Sequence, residues 1–135
     1  QKLTIPSFRY TKGDNVDCGK ARVMIVDTIG LLSAIYRYGH AAYIGGGFGK
    51  GIHNTLEAAT YGIPVIFGPR YHKFKEARDL LSAGGGFTVK DYKKFFPVVE
   101  NFRTDQEFRR QIGEAAGHYV QRMCGATSAF MKDVF

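Results

Sequence analysis

Tryptophan is absent from this chain of 135 residues, and cysteine appears only twice, methionine three times and proline four times. Cys18 and Cys124 lie far apart and show neither a metal-binding nor a redox spacing, so they read as free thiols of a reducing compartment. No apolar run approaches the ~18 residues that cross a bilayer, and no secretory signal is visible. The chain begins at Gln1 rather than Met, which reads as a piece of something longer, with any membrane anchor upstream. Acidic residues are the scarcer charge: 12 against 19 Lys and Arg, for a net charge of +7. Those bases are scattered, with no run of three, and the pairs Lys93-Lys94 and Arg109-Arg110 fall on expected helices, where solvated faces explain them. Base readout of nucleic acid is therefore not expected. Attraction to anionic substrates or an anionic membrane surface fits the charge better. No paired carboxylates, metal-ligand cluster or Ser/His/Asp arrangement stands out, so the sequence offers a binding site without visible catalytic residues or a metal.

What the chain has in excess is glycine, 17 residues, most of them in Gly45 to Gly51, Gly62 to Gly68 and Gly84 to Gly86. Clustering at strand ends argues for function-bearing turns. The apolar runs Arg22 to Val26, Ala41 to Ile44, Val65 to Phe67 and Phe87 to Val89 read as strands, with Leu3 to Tyr10 as an edge strand. The run at 22–26 reads as a fully buried parallel strand. Helical spacing occurs over Leu31 to Tyr38, Asn54 to Tyr61 and Phe74 to Ala83, then over Tyr92 to Phe102. A further helix is expected to open at Thr104, with Glu107 in capping-box spacing, and to run to Met123; a last short helix starts at Thr127. Alternating strands and helices predict one parallel sheet, Rossmann-like and flanked by helices, with a helical C-terminal tail. Ligands of such sheets bind outside the carboxyl ends of the strands, here the loops Asp27 to Gly30, Gly45 to His53 and Gly68 to Lys73.

The stretch from Gly45 to Glu57 carries the strongest functional signal. A strand, a glycine-rich turn and a helix start together make a site for a phosphate or carboxylate, with Gly46, Gly47, Lys50 and Gly51 as a phosphate loop. Glu57 either accepts hydrogen bonds from ribose hydroxyls or completes a capping box with Asn54. Asn54 caps the helix, contacts a phosphate, or both. Lys50 neutralises a phosphate or is solvated, and His53 bonds a ligand or is structural. Asp27 or Thr28 is an ordinary helix cap, unless Gly30 lays the backbone against a flat ligand. Tyr36, Tyr38, Phe95 and Phe96 read as helix-face packing.

Val26-Asp27-Thr28-Ile29-Gly30-Leu31-Leu32, Tyr43-Ile44-Gly45-Gly46-Gly47, His53-Asn54-Thr55-Leu56-Glu57 and Gly62-Ile63-Pro64-Val65-Ile66-Phe67-Gly68-Pro69 resemble, in order and spacing, the 3-deoxy-D-manno-octulosonic acid (Kdo) transferases. These are bacterial lipid A glycosyltransferases of the two-domain GT-B fold. The resemblance is dense from about Val23 to Phe87. It implies a CMP-Kdo donor, a lipid A precursor as acceptor, and contacts to CMP from Ile29, Gly30, Leu31, Asn54, Thr55, Leu56 and Glu57. It implies no metal or other cofactor, the leaving phosphate being stabilised by helix dipole and backbone N–H groups. It places the catalytic base in an N-terminal acceptor domain, and the enzyme at the cytoplasmic face of the bacterial inner membrane through that missing part.

Leu31 stands where many members have Glu, and Ile52 where many have glycine. The resemblance also places Gln1 inside the C-terminal domain, so residues 1–135 are expected to be one truncated, soluble nucleotide-sugar-binding domain. Such a piece is expected to be inactive alone and prone to self-association through uncovered strand edges. Two other readings remain at this stage: a GT-B transferase using a UDP- or GDP-sugar, and a non-enzymatic nucleotide-binding module.

Overall fold

The computed structural model describes residues 5–15 and 19–124. Cys18 and the helix expected from Thr127 lie outside them, while Cys124 is a free, exposed thiol. The chain falls into two compact units, Gln1–Ile35 and Tyr36–Phe135.

In the first unit β1 (Ser7–Arg9) and β2 (Val23–Ile25) pair in parallel, with Ser7 opposite Val23 and Arg9 opposite Ile25. Pro6 O accepts from both Arg22 N and Val23 N and sets that register. β2 was expected to be fully buried and to share a sheet with the later strands. It pairs with β1 instead, and Met24 is 44 % exposed between half-buried Val23 and Ile25. An apolar run predicts a strand, but its length does not say which segment covers it. Asp27 is not a helix cap either. Its carboxylate accepts from Thr11 N (3.2 Å), Thr11 Oγ1 (2.9 Å) and Arg9 Nη1 (3.4 Å), tying the end of β2 to the 3-10 segment Tyr10–Asn15. These bonds, the Thr11 backbone N–H foremost, hold its carboxyl below the usual range. The helix expected over Leu31 to Tyr38 is a short α1 (Leu32–Ile35), with a separate 3-10 turn, Tyr36–Tyr38, closing at Gly39.

The second unit is built on a three-stranded parallel sheet in the order β3 (Ala42–Ile44), β4 (Val65–Phe67), β5 (Gly86–Thr88). β4 is central, and all three of its residues are buried, as its unbroken apolar run requires. Side chains alternate across the sheet. On one face Ala42, Ile44, Val65 and Phe67 pack against Ala58 and Ala59 of α2 (Leu56–Ala59), Ala77 and Leu80 of α3 (Lys75–Ser82), and Ala116 and Tyr119 of α5 (Gln106–Met123). On the other face Ile66 and Phe87 meet Phe95, Val98 and Phe102 of α4 (Tyr92–Thr104) and Phe108 and Ile112 of α5. Of the aromatics read as helix-face packing, Tyr36 and Phe95 do pack, but Phe96 is 51 % and Tyr38 79 % exposed.

α3 follows its predicted spacing and ends in a Schellman pair, Gly84 N to Leu81 O and Gly85 N to Leu80 O, which the positive φ of Gly84 (77°) permits. α4 is capped by Asp91, whose side chain accepts from Lys94 N. The cap of α5 is Asp105, accepting from Phe108 N at 2.8 Å, and not Thr104. Thr104 is the last residue of α4, its hydroxyl donating to Glu100 O. With Asp105 available one residue later, the threonine is not needed as a cap, and Glu107 pairs with Arg110 and Gln111 instead of closing a capping box.

Candidate functional site

The carboxyl ends of β3, β4 and β5 feed the loops 45–55, 68–74 and 89–91. The first two are stitched together. Arg70 N donates to Gly47 O and Arg70 Nη1 to Gly49 O, both at 2.9 Å, while Gly49 N donates to Gly46 O and His53 N to Gly45 O within the first loop. A Cβ on Gly47 would lie 2.6 Å from the Cα of Gly68, and one on Gly68 would lie 2.6 Å from the carbonyl carbon of Gly47. A Cβ on Gly46, whose φ is 87°, would sit 2.1 Å from Gly51 O. These glycines therefore have an intramolecular reason: two loops pass closer than any side chain allows. Ile52, where the resemblance favours glycine, is buried in the core beneath the loop.

The loop ends at α2, which has only four residues, Leu56–Ala59, where Asn54 to Tyr61 was expected. Asn54 Oδ1 accepts from Leu56 N at 2.9 Å and Asn54 Nδ2 donates to Glu57 Oε1 at 3.0 Å. Asn54 thus caps the helix by an Asx turn, and Glu57 meets the amide side chain of Asn54 rather than its backbone N–H. Thr55 is fully buried, and its hydroxyl has no hydrogen-bond partner among the described residues. Leu56 packs on the core, whereas Glu57 is half-buried. Burial first, and then the charge of Glu57, pushes the Tyr36 phenol above its ordinary range, so this aromatic feels the Glu57 carboxylate. Of the remaining expected residues, Lys50 and His53 are exposed at the loop. In the first unit Ile29 is fully exposed, Gly30 has a φ of 93°, and Leu31 is half-buried with its carbonyl bonded by Ile35 N.

Sequence reading passed over the basic side chains of the second loop. Arg70, His72 and Lys73 join Lys50 around a depression of about 310 Å³, closed on one side by Phe74. The signal was there, since Gly68 to Lys73 leaves the carboxyl end of the central strand, but a loop base alone does not distinguish solvation from binding.

No family model matches the chain. Its sequence is 44 % identical over 110 residues to a 3-deoxy-D-manno-octulosonic acid transferase of Aquifex aeolicus, covering 75 % of this chain and 30 % of that protein. The transferases of Chlamydia pneumoniae (34 %, 89 % and 28 %) and Bordetella pertussis (32 %, 78 % and 25 %) are similar in the same way. The chain thus spans less than a third of the length of these relatives. Its fold is similar to that of the C-terminal CMP-Kdo binding domain of WaaA from Acinetobacter baumannii, with a TM-score of 0.76 and 22 % identity over 87 % of this chain and 62 % of that one. Over the stretch it shares with them, this chain is a homologue of the 3-deoxy-D-manno-octulosonic acid transferases, and it has the fold of the WaaA C-terminal domain.

Proposed function

We propose that this chain is the donor-holding part of a GT-B Kdo transferase. In this reading it binds CMP-Kdo while the sugar passes to a lipid A precursor at the cytoplasmic face of the bacterial inner membrane. The observation that carries the reading is the 44 % identity to the Aquifex aeolicus transferase across 110 residues, a span that includes most of the loops described. Asn54, Thr55, Leu56 and Glu57 are assigned to the CMP portion, and the loop with Gly46, Gly47, Lys50 and Gly51 to its phosphate. The resemblance gives Ile29, Gly30 and Leu31 donor contacts as well.

The chemistry needs the CMP phosphate to leave the anomeric carbon carrying negative charge. A four-residue helix has little macrodipole to offer it. Individual N–H groups and nearby cations must do that work, and Lys50 is the cation on the glycine loop. Glu57 keeps acceptor capacity for a ribose hydroxyl, because a carboxylate has about four lone-pair sites and Asn54 uses one. The base that activates the acceptor hydroxyl is assigned to the part of the relatives that this chain does not cover.

Titration of the chain with CMP, UDP and GDP tests the reading. Saturable binding of CMP, at least tenfold in preference to the other two, is expected, since a nucleobase site that pairs polar groups discriminates by about this much or more. Equal affinity for all three, or a preference for UDP or GDP, overturns it.

A further inference from the structure

We propose that the depression lined by Lys50, Arg70, His72 and Lys73 is a binding site for a phosphate-type dianion. It shares Lys50 with the donor reading and otherwise stands apart from it. Four basic side chains from two loops converge on one concavity, and no carboxylate among the described residues lines it. Among the described residues several helix bases pair with acids at i,i+3 or i,i+4, namely Lys75 with Asp79, Arg103 with Glu100, and Arg110 with both Glu107 and Glu114, while others such as Lys93 and Lys94 stand singly on a solvated face. Lys50, Arg70 and Lys73 make no ion pair among the described residues. Gathering like charges without counter-charge is unfavourable until an anion enters, and water in a concave site screens them less well than at an open surface.

The cradle is also built before any ligand arrives. Arg70 is fixed through its backbone N–H to Gly47 O and through Nη1 to Gly49 O, which leaves the rest of its guanidinium fork free to donate. The close contact of Gly47 with Gly68 locks the two loops that supply the four bases. Phe74, at the start of α3, offers no side-chain acceptor to the first-turn N–H groups beside the depression. The volume equals roughly ten waters at about 30 Å³ each, enough for a phosphate with part of the molecule that bears it. A tetrahedral dianion uses this arrangement better than a planar monoanion, because it presents oxygens to both loops at once.

The test is a titration of the 135-residue chain with inorganic phosphate at constant ionic strength, read by backbone-amide chemical shifts, with acetate as comparator. Saturable shifts confined to residues 47–53 and 68–76 are expected, with acetate weaker. The double variant Lys50→Gln/Lys73→Gln should weaken phosphate by roughly tenfold or more, through loss of two charge-assisted contacts. Lys93→Gln/Lys94→Gln, which removes the same charge from α4, should change it by less than about twofold. Arg70→Lys keeps the charge but not the fork, and should also weaken binding. Equal losses in the two double variants, shifts spread over the whole surface, or acetate binding as well as phosphate overturns the proposal. CMP and UMP titrated in parallel separate the two readings, because both carry the same phosphate and differ only in the base. CMP binding without any phosphate response overturns the dianion site and leaves the donor reading. A phosphate response with CMP and UMP bound equally supports the dianion site and removes the donor reading.

Discussion

Asn54 Nδ2 donates to Glu57 Oε1 at 3.0 Å while Asn54 Oδ1 accepts the Leu56 N–H. The two side chains form one unit, in which Asn54 caps the helix and Glu57 orients the cap. Capping and ligand binding are therefore not rivals at this position: one carboxylate oxygen serves the fold and the other is available to a hydroxyl.

Replacing Glu57 by Gln should separate those duties. The amide keeps the shape but removes charge-assisted acceptance, which should weaken CMP by about 1.5–3 kcal/mol. Melting should change little, because the helix N–H is capped by Asn54. Asn54→Ala should instead cost about 1 kcal/mol of stability through the lost cap. Calorimetric titration with CMP alongside thermal melting checks both, and an E57Q variant with undiminished CMP affinity removes Glu57 from the site.

The same variant has a second readout at Tyr36. The Glu57 charge helps hold the phenol above its ordinary value near 10, so Glu57→Gln should lower the Tyr36 pKa while leaving the larger effect of burial in place. The sign for stability follows. A group whose folded pKa is raised contributes stability that is intact below the unfolded value and is lost as pH rises through the folded one. Wild-type stability should thus fall with alkali above about pH 10, and the fall should be shallower in E57Q. Ultraviolet titration of the phenolate and alkaline melting curves measure the two effects.

Glycine tolerance should divide sharply within one loop. Gly47→Ala or Gly68→Ala drives a methyl into backbone at 2.6 Å, and overpacking of this kind costs roughly 1–3 kcal/mol or more. Gly49→Ala meets nothing nearer than Gly46 O at 3.7 Å and should be nearly neutral. Denaturant unfolding of the three variants checks the contrast; equal effects would mean that the loops are not in contact in solution.

These contrasts mark what the sequence could and could not say. The apolar run Val65-Ile66-Phe67 identified the central strand because a strand covered on both faces leaves no polar position. The spacing of Ala77, Leu80 and Leu81 identified α3, and the following glycines identified its end. Met24, in an equally apolar run, is exposed, since pairing partners are a tertiary property. The boundary between α4 and α5 moved by one residue because Thr104 and Asp105 are both good caps and only the packed chain chooses. At the glycine loop, the contact of Asn54 with Glu57 was legible from their i,i+3 spacing. The grouping of Lys50 with Arg70, His72 and Lys73 was not, because it depends on Gly47 meeting Gly68 across 21 positions of sequence.

Acid should reveal the surface network of α5. Glu107 accepts from Arg110 through both carboxylate oxygens and from Gln111, and these bonds hold its carboxyl at about 2. A lowered folded pKa contributes stability that is present above the unfolded value and is lost as pH falls through the folded one. The loss should occur between about pH 4.5 and 2, and Glu107→Gln should flatten that part of the acid melting curve. Added salt should shrink the difference, because the pair is exposed.

The last prediction concerns turnover. Transfer requires donor, acceptor and base to be held together, and proximity alone supplies roughly 7–11 kcal/mol of barrier lowering in favourable cases. A positioned base adds about 10²–10⁴ in rate. The chain spans 30 % or less of the first three matched transferases, and the reading proposed above assigns the base to what it does not span. Incubated with CMP-Kdo and a lipid A precursor, these 135 residues should therefore give no measurable Kdo transfer while still binding CMP weakly. Mass spectrometry of the lipid product measures the first and equilibrium dialysis the second. Turnover by the chain alone would mean that an acid–base group lies within it, and the exposed His53 beside the glycine loop would be the first to replace.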